Sequence, residues 1–247
     1  LGTGLPGNCQ AADVPDVFDF EFDSKEQLWI GSSRGLYRMK GPGQALEHFV
    51  SRPDDPNSLS QNFISSIYED DQGNVWVGTW LAGINMLPAQ AAPFRVLGNE
   101  DEPSYAGNNS VASMVEDHQG GIWSAFYRSI GVARWNEQKG IFETVQVDAD
   151  LQSAGTAELG RVLALDQDTG LIWSVANDGT LATIDPDEQR YRVTSRQPLS
   201  GSLIDYLGID GGRMIVATRN KGLAILDVET LDIQWILRSE DGFLTDS

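Results

Sequence analysis

Residues that carry out much of protein chemistry are scarce in this chain of 247 residues. It contains one cysteine, Cys9, and two histidines, His48 and His118, which lie far apart in the sequence. A single cysteine excludes an intrachain disulfide. The sequence also has no cluster of cysteine and histidine of the kind that binds zinc. We therefore expect no metal site, no cofactor and no catalytic residue.

Long hydrophobic runs and positive charge are also lacking. No stretch approaches the roughly 18 consecutive apolar residues of a membrane span, so we expect no direct membrane contact in this segment. Lys and Arg total 17 against 36 Asp and Glu, which gives a net charge of −19. A field of this sign repels the phosphates of nucleic acids. We therefore expect no nucleic-acid partner.

What the chain does contain is one pattern that returns five times, about every 45 residues. An apolar strand ends in Asp, and a turn with Gly leads into an apolar-Trp-apolar strand. A short loop and the pair Gly-apolar complete the pattern. The clearest copy runs from Ile64 to Ile84. The other copies are centred on Trp29, Trp123, Trp173 and Met214–Val216.

Each copy predicts four short strands, because β-branched and aromatic runs are bounded by Gly, Asp, Asn and Pro. Four antiparallel strands repeated radially are the blade of a β-propeller. We predict an all-β chain and a single β-propeller domain over residues 1–247. Its five four-stranded antiparallel blades are predicted near residues 13–62, 63–110, 111–160, 161–203 and 204–247.

The recurring Trp and Asp both have structural interpretations. We expect Trp29, Trp76, Trp123 and Trp173 to fill the wedge between neighbouring blades, where an indole buries a large apolar area. The Asp that ends each first strand is best explained by turn formation, since Asp side chains accept hydrogen bonds from nearby backbone amides. We therefore do not predict catalysis at these carboxylates.

The turns of such a propeller divide into two sets on opposite faces. The turns between first and second strands are acidic, whereas those between second and third strands are basic and aromatic. Aromatic rings and planar hydrogen-bond donors suit sugars, and Arg suits carboxylate or sulfate groups. We predict that the second face binds a ligand through Arg34, Trp80, Tyr127, Arg128, Asn177, Arg219, Asn220 and Lys221.

These repeats resemble those of the two-component regulator propeller family. The family pattern appears as Leu28–Ser32 followed by Gly35–Arg38, and again as Val75–Thr79 followed by Gly83-Ile84. The connecting phrase Asp55–Asn62 is also typical. The third and fourth copies keep the Trp but lose Gly-Thr, and the fifth copy lacks the Trp. The resemblance is therefore more specific for the fold than for a function.

The resemblance implies a role in signalling. Such repeats usually form the extracytoplasmic sensor region of a bacterial receptor whose output is a histidine kinase or, in some cases, a diguanylate cyclase. It implies a periplasmic location as part of an inner-membrane receptor, a homodimeric parent protein, no enzyme activity in this domain, and an oligosaccharide or other small ligand. We expect the chain, which begins at Leu1, to be a fragment of such a receptor.

Some alternatives stay open. A seven-bladed ring at this period needs about 315 residues, so the five units are either part of a larger, seven-bladed ring or a compact five-bladed ring. A propeller enzyme acting on polysaccharide would need a general base or metal near the inner strands, where the candidates are Tyr68, Glu69, Glu116, Arg161 and Tyr206. A protein-binding scaffold would need no small ligand.

Overall fold

The computed structural model describes residues 16–42, 44–90, 93–97, 110–126, 132–147, 161–176, 179–195, 199, 201–202 and 204–238. Within these residues lie 21 β-strands arranged in five sheets. No helix in this described part of the chain has the length and hydropathy that a membrane span requires. The fold prediction is confirmed: the sheets are five four-stranded antiparallel blades of a β-propeller.

The chain divides into two compact units, residues 1–105 with 109–112 and residues 106–108 with 113–247, and each is described by itself. The prediction of one domain over residues 1–247 therefore stays a prediction. The first unit holds two complete blades. Blade 1 consists of β1 (Val17–Phe22), β2 (Leu28–Ser32), β3 (Gly35–Met39) and β4 (Leu46–Phe49). Blade 2 consists of β5 (Ile64–Glu69), β6 (Val75–Thr79), β7 (Ile84–Leu87) and β8 (Arg95–Leu97).

The second unit holds the remaining blades, apart from the first residues of β9. Blade 3 consists of β9 (Val111–Glu116), β10 (Ile122–Phe126), β11 (Val132–Asn136) and β12 (Ile141–Thr144). Blade 4 consists of β14 (Val162–Leu165), β15 (Ile172–Val175), β16 (Leu181–Asp185) and β17 (Arg190–Ser195), with β13 (Gln146–Val147) added at its edge. Blade 5 consists of β18 (Ile204–Asp210), β19 (Arg213–Thr218), β20 (Gly222–Asp227) and β21 (Ile233–Arg238).

The added strand β13 differs from the sequence prediction, which gave each blade four strands and placed residues 111–160 in blade 3. The amide of Val145 still donates to Val132 O at 3.2 Å, across blade 3. The chain then leaves that blade, and Gln146 pairs with Arg190 of β17 in a parallel register. Blade 4 thereby gains a fifth strand, which covers the outer edge of β17. An exposed strand edge is a site for unwanted pairing, and a covering strand removes it.

In the first unit, blades 1 and 2 pack through one buried cluster. Trp29 of blade 1 lies in it together with Ile64, Ile67 and Val75 of blade 2. The glycine of the repeat explains how the blades come so close, since a Cβ at Gly31 would lie 2.8 Å from Ile64 Cγ2. A side chain at this position would push the blades apart.

In the second unit, blades 4 and 5 share a similar buried cluster. It contains Trp173 and Val175 of blade 4 together with Ile204, Leu207 and Met214 of blade 5. At the position where the other blades carry Trp, blade 5 has Ile215, which is exposed, and its neighbours Met214 and Val216 are fully buried instead. The predicted wedge role of the tryptophans is therefore confirmed for Trp29 and Trp173. Trp76 and Trp123 are also buried.

Single polar side chains on the inner strands accept a hydrogen bond from a backbone amide of the next blade. In the first unit, Asp19 of β1 accepts the amide of Ile67 of β5 at 2.7 Å. In the second unit, Ser113 of β9 accepts the amide of Leu163 of β14 at 3.2 Å. An inner strand otherwise presents unpaired amides on its edge, so these bonds satisfy groups that would be costly to bury alone.

A buried hydrogen bond joins the turn Asp to the Trp in the first three blades. The indole Nε1 donates to the carboxylate six residues earlier in the pairs Trp29–Asp23 at 3.0 Å, Trp76–Asp70 at 2.7 Å and Trp123–Asp117 at 2.7 Å. The other carboxylate oxygen accepts two turn amides, at 2.8–3.1 Å. The turn function predicted for these Asp residues is confirmed, and each carboxylate also fixes the indole.

Blade 4 lacks this bond because its turn is one residue longer. Trp173 follows Asp166 by seven residues, and the hydroxyl of Thr169 donates to Asp166 Oδ2 at 2.7 Å. Trp173 Nε1 is buried and has no hydrogen-bond acceptor among the described residues. Trp123 and Trp173 of the second unit are thus both buried, but only Trp123 donates a hydrogen bond to its turn carboxylate.

Replacing each of these two tryptophans by Phe isolates the energy of the buried hydrogen bond. Trp123→Phe removes the indole donor from the Asp117 carboxylate, so we expect a loss of about 1.5–3 kcal/mol beyond the packing loss. Trp173→Phe removes no hydrogen bond and serves as the matched control, since the ring volume lost is the same. Urea unfolding followed by circular dichroism measures both. Equal losses in the two variants would contradict a role for the Asp117–Trp123 bond.

Candidate functional site

The turns predicted to bind a ligand are built by the hydroxyl that ends the second strand. This hydroxyl belongs to Ser32 in blade 1, Thr79 in blade 2 and Thr218 in blade 5. Each donates to the carbonyl oxygen of the glycine at the start of the third strand, at 2.8–2.9 Å. Each also accepts a turn amide, at 2.9–3.1 Å. The hydroxyl residue at the end of the Gly-Thr pattern therefore stabilises this turn.

Five of the eight predicted ligand-binding residues lie at such turns, namely Arg34, Trp80, Arg219, Asn220 and Lys221. The other three, Tyr127, Arg128 and Asn177, lie outside the described residues. Arg34 and Trp80 belong to the first unit, and Arg219, Asn220 and Lys221 belong to the second. The two sets are therefore treated as separate clusters.

In the first unit, Trp80 belongs to a cluster of three aromatic rings, with Phe63 and Phe18, that we call the aromatic cluster. The centroids of Phe18 and Phe63 lie 4.4 Å apart with the rings stacked. Phe63 and Trp80 lie 5.6 Å apart with the rings tilted by 46°. Trp80 is 40% exposed and Phe18 is 48% exposed. The cluster thus presents aromatic surface to solvent at the end of the blades where the predicted turns lie.

The sequence identified Trp80 but not its two partners. Phe63 directly precedes β5, and the Trp80 amide donates to Phe63 O at 3.1 Å, which brings the two residues together. Phe18 lies where the register of β1 against β2 shifts, between Val17 and Asp19. Such a bulge re-aims a side chain, and no feature of the sequence marks its place.

In the second unit, the predicted residue Arg219 belongs to a cluster of charges around one carboxylate, which we call the basic cluster. Arg219 donates to both oxygens of Asp205, at 2.8 Å and 3.2 Å. Arg161 donates to the same carboxylate at 2.9 Å. Two guanidinium groups thus flank a single carboxylate, which leaves a local excess of positive charge in a chain of net charge −19.

The two neighbours of Arg219 complete this turn. Asn220 Nδ2 donates to Gly201 O at 2.8 Å, which ties the turn to the segment before β18. The side-chain nitrogen of Lys221 lies close to Gly201 as well, 3.6 Å from the position that a Cβ on this glycine would take. Asn220 therefore positions the turn, and Lys221 adds a further positive charge beside Arg219.

Carboxylates crowd the inner strands of the first unit. Burial raises the pKa of Asp19 above its ordinary value, although hydrogen bonds from the amides of Ile67 and Phe20 oppose this. Burial, and then the negative charges of Asp19 and Glu69, raise the pKa of Glu21. These groups resist ionisation in the folded state, which disfavours folding at neutral pH.

Two of the residues considered for an enzyme, Glu69 and Arg161, are engaged in contacts within the protein. Glu69 accepts the amide of Ser24 at 2.5 Å and its hydroxyl at 3.0 Å. Arg161 is paired with Asp205, Glu116 is buried and Tyr206 is exposed. In the part of the chain that the structure describes, no three His, Cys, Asp or Glu side chains gather as ligands for a metal ion.

Comparison with known proteins supports the family indicated by the repeats. The sequence model of the family described as two component regulator propeller matches residues 58–81. This segment is therefore similar to a two component regulator propeller repeat. It covers the phrase before β5, the inner strand β5 and the strand β6 with Trp76. The resemblance stated from the sequence is confirmed here. No curated protein matches the chain.

Several solved structures share the propeller fold. The extracellular domain of the putative hybrid two component system BT3049 from B. thetaiotaomicron matches with 19% identity and a TM-score of 0.71, covering 90% of this chain and 30% of that one. The corresponding domain of BT4673 matches with 20% identity and a TM-score of 0.68, covering 88% and 29%. The chain thus spans less than a third of these relatives.

A propeller enzyme also has this fold. Virginiamycin B lyase from Staphylococcus aureus, solved as a catalytically inactive variant with quinupristin, matches with 14% identity and a TM-score of 0.67. The match covers 90% of this chain and 70% of the lyase. At these identities the similarity establishes the fold alone, because one fold serves many functions.

The raised pKa values of the inner-strand carboxylates predict how the stability of the protein depends on pH. The raised pKa of Glu21 means that its contribution to stability is fully present below the ordinary value of 4.5 and is lost as the pH rises through the folded-state pKa. Glu21→Gln removes this loss. We expect the variant to be more stable than the parent at pH 7 and equally stable near pH 4.

Glu47 in the same unit provides a control of opposite sign. Hydrogen bonds from Lys40 and Arg38 lower the pKa of Glu47. The contribution of Glu47 to folding stability is present at neutral pH and is lost as the pH falls through its folded-state pKa. Glu47→Gln should therefore destabilise the protein at pH 7, with the difference disappearing in acid. Urea unfolding of both variants between pH 4 and pH 8 measures how the stability difference from the parent changes with pH. A change of the same sign in both variants would refute the opposite pKa shifts of Glu21 and Glu47.

Proposed function

We propose that the chain is the ligand-sensing extracytoplasmic propeller of a bacterial receptor of the two-component histidine kinase type, and that it binds an oligosaccharide. In this proposal the domain is not catalytic, lies in the periplasm and belongs to a homodimeric inner-membrane receptor. The main support for oligosaccharide binding is the aromatic cluster of Phe18, Phe63 and Trp80, which is exposed at the predicted turns.

The receptor assignment is supported by the repeat at residues 58–81 and by the fold relatives. BT4673 and BT3049 are described as extracellular domains of putative hybrid two component systems. A sensor outside the cytoplasm needs no catalytic group of its own. Its acidic surface and many exposed turns are compatible with a soluble domain that presents a binding face.

The sugar assignment rests on the chemistry of the exposed rings. The face of an aromatic ring packs against the C–H groups of a sugar ring, while polar groups around it bond to hydroxyls. Large exposed aromatic surface is costly unless something covers it, so exposed apolar patches usually mark binding sites. Here the Thr79 hydroxyl accepts the amide of Ala82 and donates to Gly83 O, and the Trp80 amide donates to Phe63 O, so that the Trp80 ring stands on a fixed support.

The basic cluster supplies the second kind of contact that the sequence predicted. Arg219 is 64% exposed while its guanidinium is held by Asp205. A guanidinium fixed in this way can bond to a ligand hydroxyl or carboxylate with little loss of side-chain entropy. The aromatic cluster and the basic cluster are proposed as two contact regions, each within its own unit.

A matched pair of phenylalanines tests the aromatic cluster. A glycan array first identifies a ligand, and titration calorimetry then compares variants. We expect Trp80→Ala and Phe18→Ala each to weaken binding at least about tenfold, since each removes stacking area. Phe20→Ala is the control, because Phe20 lies on the same strand and is 63% exposed but is not part of the cluster.

The outcomes separate the proposal from its alternatives. A similar weakening by Phe20→Ala would show that the effect is not specific to the cluster. An array without any bound glycan would overturn the sugar assignment, and binding of a protein partner would then favour the scaffold. Release of reducing ends from a polysaccharide by the parent protein would favour the enzyme.

A further inference from the structure

The second unit contains a pocket that none of the above accounts for. It has a volume of about 410 Å³ and opens beside the turns β9–β10, β11–β12 and β16–β17. These turns lie at the opposite end of the blades from the turn that carries Arg219. The pocket is lined chiefly by the side chains of Gln119, Arg134, Trp135, Gln138, Glu143 and Gln189. We propose that it binds a neutral polyol of about the size of a monosaccharide.

Of the three charged residues that line this pocket, Arg134 and Glu143 are already paired within the protein, and Glu137 is exposed to solvent. Arg134 lies 3.3 Å from the Asp117 carboxylate, and its guanidinium lies 5.8 Å from the centre of the Trp123 ring. Glu143 accepts hydrogen bonds from Asn136, at 2.8 Å, and from Lys139. A charged ligand would have to compete with these partners, whereas a neutral ligand would not.

The local backbone makes room for this arrangement. The turn between β9 and β10 carries Gly120 and Gly121. A Cβ at Gly121 would collide with the Arg134 guanidinium and with Asp117 Oδ2. The absence of a side chain at Gly121 therefore allows Arg134 to lie against the turn, where it forms the floor of the pocket.

The remaining lining groups are amides and one indole. Gln119, Gln138 and Gln189 each carry two N–H donors and one carbonyl acceptor, which is the set that hydroxyl groups require. Gln119 is held in place by a bond from its Nε2 to Asp187. Trp135, tilted against Phe142 with centroids 5.1 Å apart, adds an apolar wall. Amides around an aromatic wall suit a molecule with hydroxyls on its rim and C–H groups on its face.

The size of the pocket agrees with this class of ligand. Ligand sites begin at about 300 Å³, so 410 Å³ holds a single sugar ring or a cyclitol with some water. A ligand with about 12 non-hydrogen atoms, at ordinary efficiency per atom, binds with a Kd of about 1–10 mM. The expected affinity is therefore low but measurable by NMR.

Gln189 offers a substitution that leaves the fold intact. Its φ is +50°, in the left-handed region, where a side chain is strained and glycine is not. Gly140, in the corresponding turn of blade 3, has a φ of +66°. Gln189→Gly therefore removes one amide from the pocket without an expected loss of stability. Glu188→Gln in the same turn is the matched control, since Glu188 pairs with Arg192 and does not line the pocket.

The test is a titration followed by the side-chain amide resonances of glutamine in ¹H–¹⁵N spectra. The neutral probes are methyl α-D-glucopyranoside, methyl β-D-galactopyranoside and myo-inositol, each up to about 50 mM, well above the expected Kd. D-glucuronate and D-glucosamine are the charged probes. We expect a neutral probe to shift the amides of Gln119, Gln138 and Gln189, with affinity reduced at least fivefold in Gln189→Gly and unchanged in Glu188→Gln.

Each other result overturns the proposal. No shift with any neutral probe, tighter binding of a charged probe, or equal binding by Gln189→Gly would each do so. Trp80→Ala provides the separation from the proposed oligosaccharide site. It should abolish glycan binding at the aromatic cluster and leave these titrations unchanged, so that failure of one proposal is distinguishable from failure of the other.

Discussion

The hydrogen bond from a buried indole to a turn carboxylate is the interaction on which the first three blades of this protein depend. In blades 1, 2 and 3 one Asp side chain closes the turn between the first two strands and also holds the Trp that follows six residues later. The same residue therefore joins local structure to packing, since the turn sets the register of the hairpin and the indole is buried. A carboxylate buried this deeply is tolerable only because every bond it makes is to a donor held in place.

This bond also explains the charge of Asp117. Burial acts to raise the pKa of its carboxyl, but the hydrogen bonds from Trp123 Nε1 and from the amides of Gly121 and Gln119, together with Arg134, outweigh burial and leave the pKa below its ordinary value. The inner-strand carboxylates of the first unit show the opposite balance, because burial raises the pKa of Asp19 and of Glu21, and the charges of Asp19 and Glu69 raise that of Glu21 further. Similar residues in one repeat family thus stabilise or destabilise the fold according to the donors around them.

Different side chains stabilise the two ends of a blade, which leaves other side chains at these ends available for binding. The Asp and Trp hold one end, and the Ser or Thr hydroxyl holds the turn at the other end. Side chains that the turn does not need, such as Trp80 and Arg219, are then placed on a rigid support. The pocket beside β11 arises at the Asp end of the blades instead, where Arg134 extends over the Asp117 turn.

The prediction of four antiparallel strands in each blade is confirmed for all five blades. It was less complete for blade 3, because whether residues 146–147 stay with β12 or join β17 depends on the edge of a neighbouring blade. At the candidate site, Trp80 and Arg219 were found from composition alone. Phe18 was not, because a β-bulge turns its side chain toward Phe63.

The sequence by itself determined the number of blades, the order of their strands and the residues that fill the wedges, because these follow from short-range periodicity and turn chemistry. The tertiary structure alone decided which polar groups meet across blades: the Asp205 carboxylate of blade 5 with Arg161 of blade 4, and the Gln119 amide of blade 3 with Asp187 of blade 4. Such contacts join residues that are distant in sequence, and their geometry depends on how one blade packs against the next.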